Sequence, residues 1–406
     1  MIFALSIIPI LVALGAAIDL SRAYIVEERL RAALDAAGLA VGTDPSLTLA
    51  QMKTVAQAYF DANYPAGQIG VPGTVSVTST DQVVTLSVSA TMPTTVMSLV
   101  GKDSVTISAS NEITREGKKL EVALVLDNTG SMSSNNKMTS LKAAAKNLIA
   151  ILQNSGAQPG EIKVAVVPFT VDVKVGSNLK TATWLKWTWT TPKYQTEVCT
   201  GKGKKRTCTY EDHEYNITPT NNAVCVADRD QDYDASNSLP VTGQDATLYP
   251  VDTADCGPVS LLPLTTTWTD MTNKIDSMAS SGNTNTTIGL AWGWNMLTPG
   301  APLSAASAPA DDLNKAIVFL TDGTNTENRF TNSSSSAIDA RTTAICNALR
   351  AAAVQVYTIR VIDGNSSLLK ACATKADMYY EVTQSSELDA VFKSIALALS
   401  NLRVSK

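Results

Sequence analysis

Three oxygen-bearing side chains alternate at the point where one apolar stretch of the chain ends. Asp127, Thr129 and Ser131 follow the apolar run 122–126, and apolar residues at three- and four-residue spacings come after them. Because the three residues alternate, an extended turn aims their oxygens at one point. A carboxylate and two hydroxyls suit Mg²⁺, Ca²⁺ or Mn²⁺ better than softer metals. The spacing therefore predicts a site for a hard divalent cation.

A second carboxylate comes from a distant apolar stretch. The run 316–321 is continuous and ends in Asp322 and Gly323. Apolar runs without alternation are typical of strands buried on both faces, as in a parallel sheet covered by helices. Ligands bind at the carboxyl edge of such sheets, and both aspartates belong to that edge. The alternative, in which Asp127 only caps a helix, leaves the hydroxyls and Asp322 unexplained.

The motifs DNTGSMS (127–133) and FLTDG (319–323) resemble the von Willebrand factor A domain and its metal-ion-dependent adhesion site. That site usually reads D-x-S-x-S, with a threonine and an aspartate later in the chain. The resemblance implies an α/β fold with a doubly wound, mainly parallel, Rossmann-like sheet, and a bound Mg²⁺, Mn²⁺ or Ca²⁺. The matching metal ligands are Asp127, Thr129, Ser131, Thr284 and Asp322.

One of these five positions differs from the family pattern, and a second can be assigned to either of two threonines. Thr129 stands where the family usually has a serine, and the hydroxyl is kept. The later threonine of the family lies shortly before a glycine that opens a helix. Thr284 has this position relative to Gly289, and Thr286 is the alternative register.

Length and composition limit the class of protein. The chain has 406 residues, which implies two or three domains. Only 17% of the residues are charged and the formal net charge is −5, so no basic face points to nucleic acid. The single histidine, His213, excludes most histidine-based catalysis and is expected on an ordinary loop.

Six cysteines occur at spacings that favour pairing. Cys199 and Cys208 flank a short basic turn, where a disulfide would staple a hairpin. No C-x-x-C pair occurs, so zinc is not expected. Three disulfides imply an oxidising compartment, and free buried thiols are the alternative. The disulfide candidates are Cys199, Cys208, Cys225, Cys256, Cys346 and Cys372.

The N-terminal residues predict a membrane anchor. Residues 1–18 carry no charge, and as a helix they are about 27 Å long, enough for the hydrocarbon core. Charged residues follow from Asp19, and an amphipathic extension continues the predicted transmembrane helix to residue 40. A cleaved signal peptide is the alternative, although no basic residues precede the apolar run.

Residues 41–115 predict a small α+β module. Thr48 and Gln51 form a capping-box pattern that opens a helix. Three segments then alternate apolar residues with Ser or Thr, as in an antiparallel sheet with one wet face. These segments are 75–77, 84–90 and 105–109. The anchor, its extension and this sheet resemble a pilin-like module.

The N-terminal sequence FALSIIPILVALGAAIDLSRAYIVEERLRAALDAAGLA also resembles the TadE/TadG-like segment of Flp/Tad pilus-assembly proteins. The matching features are Gly15 to Asp19 and Leu30 to Ala37. TadG-like proteins combine this segment with a von Willebrand A domain. The family usually has a few basic residues before the apolar run, and their absence here leaves a truncated start as one interpretation.

Residues 116–406 are expected to form the von Willebrand A-like domain, with an insertion at about 172–263. The insertion lacks helix–strand rhythm and holds four of the cysteines, so we expect an ordered, disulfide-stapled segment. Its tryptophans, among them Trp187 and Trp189, either pack a core or form a partner- or glycan-binding face.

The acidic run 228–234 resembles the start of a calcium loop. Tyr233 stands where an EF-hand needs glycine, and Leu239 stands where it needs glutamate. An EF-hand is therefore rejected. A solvated acidic loop is the favoured interpretation, and an irregular calcium site is the alternative.

The favoured function is that of a non-enzymatic, membrane-anchored component of pilus assembly. Its metal site would bind an acidic residue of a protein partner, such as a pilus or pilus-machine subunit. The expected location is the bacterial inner membrane, with the C-terminal domain in the periplasm. The second hypothesis is a surface adhesin for host or matrix ligands. A hydrolase is a remote third, because Asn128 interrupts the aspartic-protease pattern D-T-G-S and the α/β pattern contradicts that all-β fold.

Overall fold

The chain folds into two compact units, Met1–Gly117 and Lys118–Ser405. Each unit has its own core of apolar side chains. The computed structural model describes residues 2–43, 47–65, 67–80, 83–114, 118–155, 157, 159–218, 224–253 and 256–404.

The first unit combines helices with an antiparallel sheet. Within the described residues its elements are α1 (Ile2–Gly42), α2 (Leu49–Asn63), β1 (Val71–Pro72), β2 (Ser76–Thr80), β3 (Val83–Pro93) and β4 (Ser104–Thr114). Strand β3 pairs with β4 along its whole length, and with β2 and β1 over separate parts. Buried residues alternate along β3, which is the pattern of an antiparallel sheet with one wet face.

Both helices of this unit cover the sheet with an apolar stripe. In α1 the stripe includes Val26, Leu30 and Leu34, which share a core cluster with residues of α2 and the sheet. Helix α2 opens with the predicted capping box. The Thr48 backbone N–H donates to Gln51 Oε1 at 2.9 Å, and the Gln51 backbone N–H donates to Thr48 Oγ1 at 3.4 Å.

The predicted membrane anchor falls on the first part of α1. The backbone of α1 is helical from Ile2 to Gly42. The side chains of residues 1–14 lie outside the described part of the structure. Among the residues that are described, no helix combines the length and the apolarity needed to cross a membrane.

The second unit holds a large sheet and the inserted region. Its described strands are β5 (Lys119–Asp127), β6 (Ile162–Phe169), β7 (Val173–Lys174), β8 (Leu185–Lys186), β9 (Thr188–Thr200), β10 (Thr207–Asn216), β11 (Cys225–Val226), β12 (Tyr249–Asp252), β13 (Leu262–Thr265), β14 (Leu313–Thr321), β15 (Gln355–Val361) and β16 (Tyr379–Val382). Its described helices are α3 (Lys137–Gln153), α4 (Trp268–Ser277), α5 (Thr286–Met296), α6 (Ser335–Ala351), α7 (Ser366–Cys372) and α8 (Leu388–Val404).

The large sheet has the strand order β13-β6-β5-β14-β15-β16. Strands β6, β5, β14, β15 and β16 are parallel to one another, and β13 pairs antiparallel with β6 at the edge. The predicted mainly parallel α/β sheet is confirmed. Strands β5 and β14 lie side by side at its centre, where Leu126 pairs with Leu320 just before both strands end.

Helices cover both faces of this sheet. On one face, Ile288 of α5 packs in a core cluster with Val125. On the other face, Leu148 of α3 packs in a second cluster with Leu124. Because neighbouring strand residues enter opposite clusters, the run 122–126 is apolar without alternation.

The described residues of the inserted region form an ordered segment that disulfides cross-link. It contains a small sheet with the order β7-β11-β12-β8 and a long antiparallel hairpin, β9–β10. Its strands other than the hairpin have only two to four residues each, which is too short to show an alternation of apolar and polar residues in the sequence. The cysteine pairs are Cys199–Cys208 across the hairpin, Cys225–Cys256 within the insertion, and Cys346–Cys372 between α6 and α7.

Two tryptophans of the insertion are part of its core. Trp184 and Trp189 are buried, and the Trp189 indole N–H donates to the Val251 carbonyl at 2.8 Å. The ring of Trp184 packs edge-on against Tyr249, with 5.6 Å between the ring centroids. These contacts favour core packing over a partner-binding face. His213, predicted on a loop, lies on strand β10.

The prediction of a solvated acidic loop at 228–234 holds for Asp232, which is exposed, but is wrong for two other aspartates of the run. Asp228 and Asp234 are buried. Arg341 of α6 places its Nε 2.8 Å from Asp234 Oδ2. Arg329 forms an ion pair with Asp230 of the same run. Burying a carboxylate is costly unless it is paired. The guanidinium groups therefore allow this run to enter the fold.

Candidate metal site

Two aspartates meet at the carboxyl edge of the large sheet. Asp127 is the last residue of β5, and Asp322 directly follows β14, the strand paired with β5. Both side chains are buried. The two central strands thus bring together carboxylates that are far apart in the sequence.

Both carboxylate oxygens of Asp127 accept hydrogen bonds. Oδ1 accepts from the Thr129 backbone N–H at 2.8 Å, and Oδ2 accepts from the Thr321 hydroxyl at 2.6 Å. Burial raises the pKa of Asp127 to about 6, and the nearby negative charge of Asp322 adds to the shift. Like charges held this close favour the binding of a cation.

Hydroxyl groups of the loop after β5 join the two aspartates. The Ser131 hydroxyl donates to Asp322 Oδ1 at 2.5 Å, and Ser131 Oγ lies 3.0 Å from Thr129 Oγ1. Thr129 is buried, whereas Ser131 is exposed. Ser131 therefore marks the side of the cluster that faces solvent.

Thr284 borders the same cluster from the loop before α5. A Cβ at Gly323 would lie 3.3 Å from Thr284 Oγ1 and 3.6 Å from Ser131 Oγ. Both hydroxyls thus line the space beside Gly323, next to Asp322. The Thr284 backbone N–H donates to Thr326 Oγ1 at 2.9 Å, which fixes this loop to the one that follows β14.

The alternative threonine, Thr286, has other partners. Its hydroxyl donates to Asn325 Oδ1 at 2.9 Å and lies 2.8 Å from Thr342 Oγ1. These three side chains are buried together. The structure thus places the hydroxyl of Thr284, and not that of Thr286, beside Gly323.

Sequence reasoning missed two members of the cluster, Lys137 and Thr321. Lys137 is the first residue of α3, is buried, and places its Nζ 2.8 Å from Asp322 Oδ2. A signal was present, because Lys137 shares a helical stripe with Leu141 and Leu148 and thus puts a charge on an apolar face. Thr321 ends an apolar run, so no local signal in the sequence marks its hydroxyl as part of the cluster.

The donor set fits a hard divalent cation, which prefers oxygen ligands. The oxygen donors of the cluster are the carboxylates of Asp127 and Asp322 and the hydroxyls of Thr129, Ser131 and Thr284. Gly323 carries no Cβ, which leaves space beside the hydroxyls. The buried side-chain oxygen of Asn128 has no hydrogen-bond partner within the described part of the chain.

Residues 1–44 match the sequence profile of a family described as putative Flp pilus-assembly TadE/G-like. This segment is similar to the TadE/G-like family. The match covers the apolar run and the amphipathic extension of α1, and it confirms the resemblance predicted from the N-terminal sequence. No curated protein matches the chain by sequence.

Several solved structures are similar to this chain at low sequence identity. The pilus adhesin SpaC from Lactobacillus rhamnosus GG has a TM-score of 0.41 and 11% identity, over 81% of this chain and 34% of that chain. The vWF domain of the type V pili tip protein Mfa5 from Porphyromonas gingivalis has a TM-score of 0.40 and 11% identity, over 71% of this chain and 97% of that chain.

A third similar structure is proximal thread matrix protein 1 from the mussel byssus, with a zinc-occupied MIDAS motif. Its TM-score is 0.36 and its identity 14%, over 70% of this chain and 46% of that chain. The present chain thus spans less than half the length of the SpaC chain and of the mussel protein.

Proposed function

We propose that this protein is a membrane-anchored, non-enzymatic component of Flp/Tad-type pilus assembly that binds protein partners through a divalent cation. The TadE/G-like N-terminal segment supports the pilus assignment. The observation that carries the cation site is the hydrogen bond from Ser131 to Asp322. It joins the loops after β5 and β14 into one cluster of oxygen donors.

In this proposal the cation is Mg²⁺, with Mn²⁺ or Ca²⁺ as alternatives. Its ligands are Asp127, Thr129, Ser131, Thr284 and Asp322. Hydroxyl ligands carry no charge, so the two carboxylates leave a divalent ion able to attract a further anion. When bound, the cation would supply the attraction for a carboxylate of the partner. Ser131 is exposed, so the partner would approach from that side.

The proposed location is the bacterial inner membrane, with the second unit in the periplasm. The uncharged residues 1–18 and the helical backbone of α1 support a single membrane anchor. The disulfides support an oxidising compartment for the second unit, because such bonds rarely persist in the cytosol.

The experiment that tests this function is a count of surface pili on cells that carry Asp127→Ala at normal protein levels. The substitution removes a carboxylate ligand, and we expect the pili to be lost. Asp312→Ala is the matched control, because Asp312 is an exposed aspartate of the same unit, paired with Lys119 at 3.0 Å. Cells with the control variant should keep their pili.

The other outcomes separate the alternatives. Normal pili with lost surface attachment would support a surface adhesin that uses the same metal site. If neither pili nor attachment changes, the proposed use of the site is wrong. Cleavage of peptides by the purified protein, blocked by pepstatin, would contradict the non-enzymatic assignment.

A further inference from the structure

A buried lysine lies directly against the candidate metal site. The Lys137 side chain is 2% exposed, and its Nζ lies 2.8 Å from Asp322 Oδ2. The next carboxylate is that of Asp363, whose Oδ2 lies 3.4 Å from the same nitrogen. Lysine is almost never fully buried unless it is paired. The ion pair with Asp322 therefore accounts for the burial of this ammonium group.

The backbone holds Lys137 in place at the start of α3. The two residues before it, Asn135 and Asn136, have positive φ angles of 52° and 56°, a conformation in which asparagine is enriched. The Lys137 backbone N–H donates to the Ser134 carbonyl at 3.0 Å. The tight turn thus starts the helix where the lysine side chain reaches Asp322.

The charges of the buried groups suggest what this lysine does. With formal charges on both carboxylates and on the ammonium group, Asp127, Asp322 and Lys137 together carry one net negative charge. Binding a divalent cation would change this to one net positive charge. Asp363 is 70% exposed, so water and salt screen its contribution. Without Lys137, the loaded site would have no net charge, and its attraction for a carboxylate would be weaker.

We infer that Lys137 determines the class of ligand at this site by keeping the cation-loaded cluster positive, so that it binds a single carboxylate in preference to a neutral group. The inference rests on the proposed function, since it concerns the same site. Lys137 is a positioning residue here: it holds Asp322 Oδ2 and repels the cation, so it weakens cation binding while it strengthens anion binding. A purely structural lysine would affect both in the same direction.

The test compares two affinities on the purified full chain. Mn²⁺ is the probe for the cation, with free Mn²⁺ measured by electron paramagnetic resonance. Acetate is the probe for the carboxylate and acetamide its neutral counterpart, with binding measured by ¹³C relaxation caused by bound Mn²⁺. Lys137→Met is compared with Lys146→Met, which removes a lysine of the same helix that pairs with Asp276 at 2.7 Å.

We expect Lys137→Met to bind Mn²⁺ at least about threefold more tightly and acetate at least about tenfold more weakly, because one buried positive charge is lost. Lys146→Met should change neither value. Parallel loss of both affinities, or unchanged acetate binding, would overturn the inference. If the wild type itself does not bind Mn²⁺, the proposed function fails rather than the role of Lys137.

Two further measurements keep the inference testable if the methionine variant does not fold. Lys137→Gln removes the charge but keeps a donor for Asp322, and the same opposite changes are expected. In the wild type loaded with Mn²⁺, acetate should bind at least about tenfold more tightly than acetamide. Equal binding of the two would overturn the inference without any variant.

Discussion

The side-chain amide of Asn285 donates a hydrogen bond of 2.8 Å to Oδ2 of Asp228, and both residues are buried. Asp228 belongs to the disulfide-stapled insertion, three positions after Cys225. Asn285 follows Thr284 of the candidate metal site and caps α5, since its Oδ1 accepts from the Thr287 backbone N–H at 3.1 Å. One hydrogen bond therefore links the insertion to the metal-site loop.

We predict that Asn285→Ala weakens both the fold and the cation site. The variant loses a helix cap and leaves Asp228 with one partner fewer, which should lower the free energy of unfolding by about 1–3 kcal/mol. Thr284 loses its anchor to the insertion, so Mn²⁺ affinity should also fall. Ser334→Ala is the matched control, because Ser334 caps α6 by accepting from the Ala337 backbone N–H.

The two variants separate a structural effect from an effect on the site. Both should show reduced stability in urea unfolding followed by tryptophan fluorescence, which reports the second unit because all six tryptophans lie between residues 184 and 294. Only Asn285→Ala should bind Mn²⁺ more weakly. Equal Mn²⁺ affinities in the two variants would show that the insertion does not position Thr284.

A second prediction concerns the pH dependence of stability. Burial raises the pKa of Asp228 to about 7, and the negative charge of Asp234 adds to the shift. The unfolded value is about 3.9. The folded chain therefore binds more protons than the unfolded chain between pH 4 and 7. The contribution of Asp228 to stability falls as the pH rises through this range and is constant above it.

Asp228→Asn removes this contribution. The unfolding free energy of the variant relative to the wild type should therefore rise between pH 4 and 7, by at most about 4 kcal/mol. Asp312→Asn should give the opposite slope below pH 4, because a hydrogen bond from Lys119 and its charge lower the pKa of Asp312. A flat difference for Asp228→Asn across this range would contradict the assignment.

The fold and the two metal-site loops could be predicted because each rests on a continuous apolar run. The runs before Asp127 and Asp322 have the pattern of strands buried on both faces, and the carboxyl ends of parallel strands share one edge. The site residues that follow such runs can thus be placed without knowing any long-range contact. The hydroxyls of Thr129 and Ser131 come with the same loop.

The partners of the buried charges could not be predicted, because they are distant in sequence. Lys137 is buried against Asp322, and Asp234 of the acidic run is buried against Arg341. A charged residue read locally indicates exposure to solvent. The energetic cost of burial is offset only after the fold brings the opposite charge into contact.

A third prediction tests how closely α5 packs on the central strand. A Cβ at Gly293 would overlap Cγ2 of Val125. Gly293→Ala should therefore lower the unfolding free energy by about 1–3 kcal/mol through overpacking, although alanine favours helices by about 1 kcal/mol over glycine. Urea unfolding followed by tryptophan fluorescence measures the change.

The matching control is Val125→Ala, alone and combined with Gly293→Ala. If the overlap is the cause, the double variant should be more stable than the sum of the single effects predicts, since the smaller residue makes room for the new methyl group. Additive effects, or an unchanged stability of Gly293→Ala, would show that α5 can shift away from Val125 without a loss of stability.

The last prediction concerns the disulfide nearest to the link between the insertion and the site. Replacing Cys225 and Cys256 by serine opens a loop with a sequence separation of 31. This should lower the unfolding free energy by about 3–4 kcal/mol. Because Asp228 lies three positions after Cys225, a loosened insertion should also release Asn285 and weaken Mn²⁺ binding.

The hairpin disulfide offers the control for this change. Cys199 and Cys208 close a loop with a sequence separation of only 9. They lie in the hairpin of strands β9 and β10, whose paired residues run from Thr188 with Asn216 to Thr200 with Thr207. Replacing these two cysteines by serine should leave Mn²⁺ affinity unchanged. The backbone hydrogen bonds between the strands keep the hairpin closed, and the hydrogen bond from Asn285 to Asp228 stays intact. If both double variants lose Mn²⁺ affinity to the same extent, the effect is a general loss of stability. A loss confined to the Cys225–Cys256 variant would mean that the insertion holds the metal-site threonine in place.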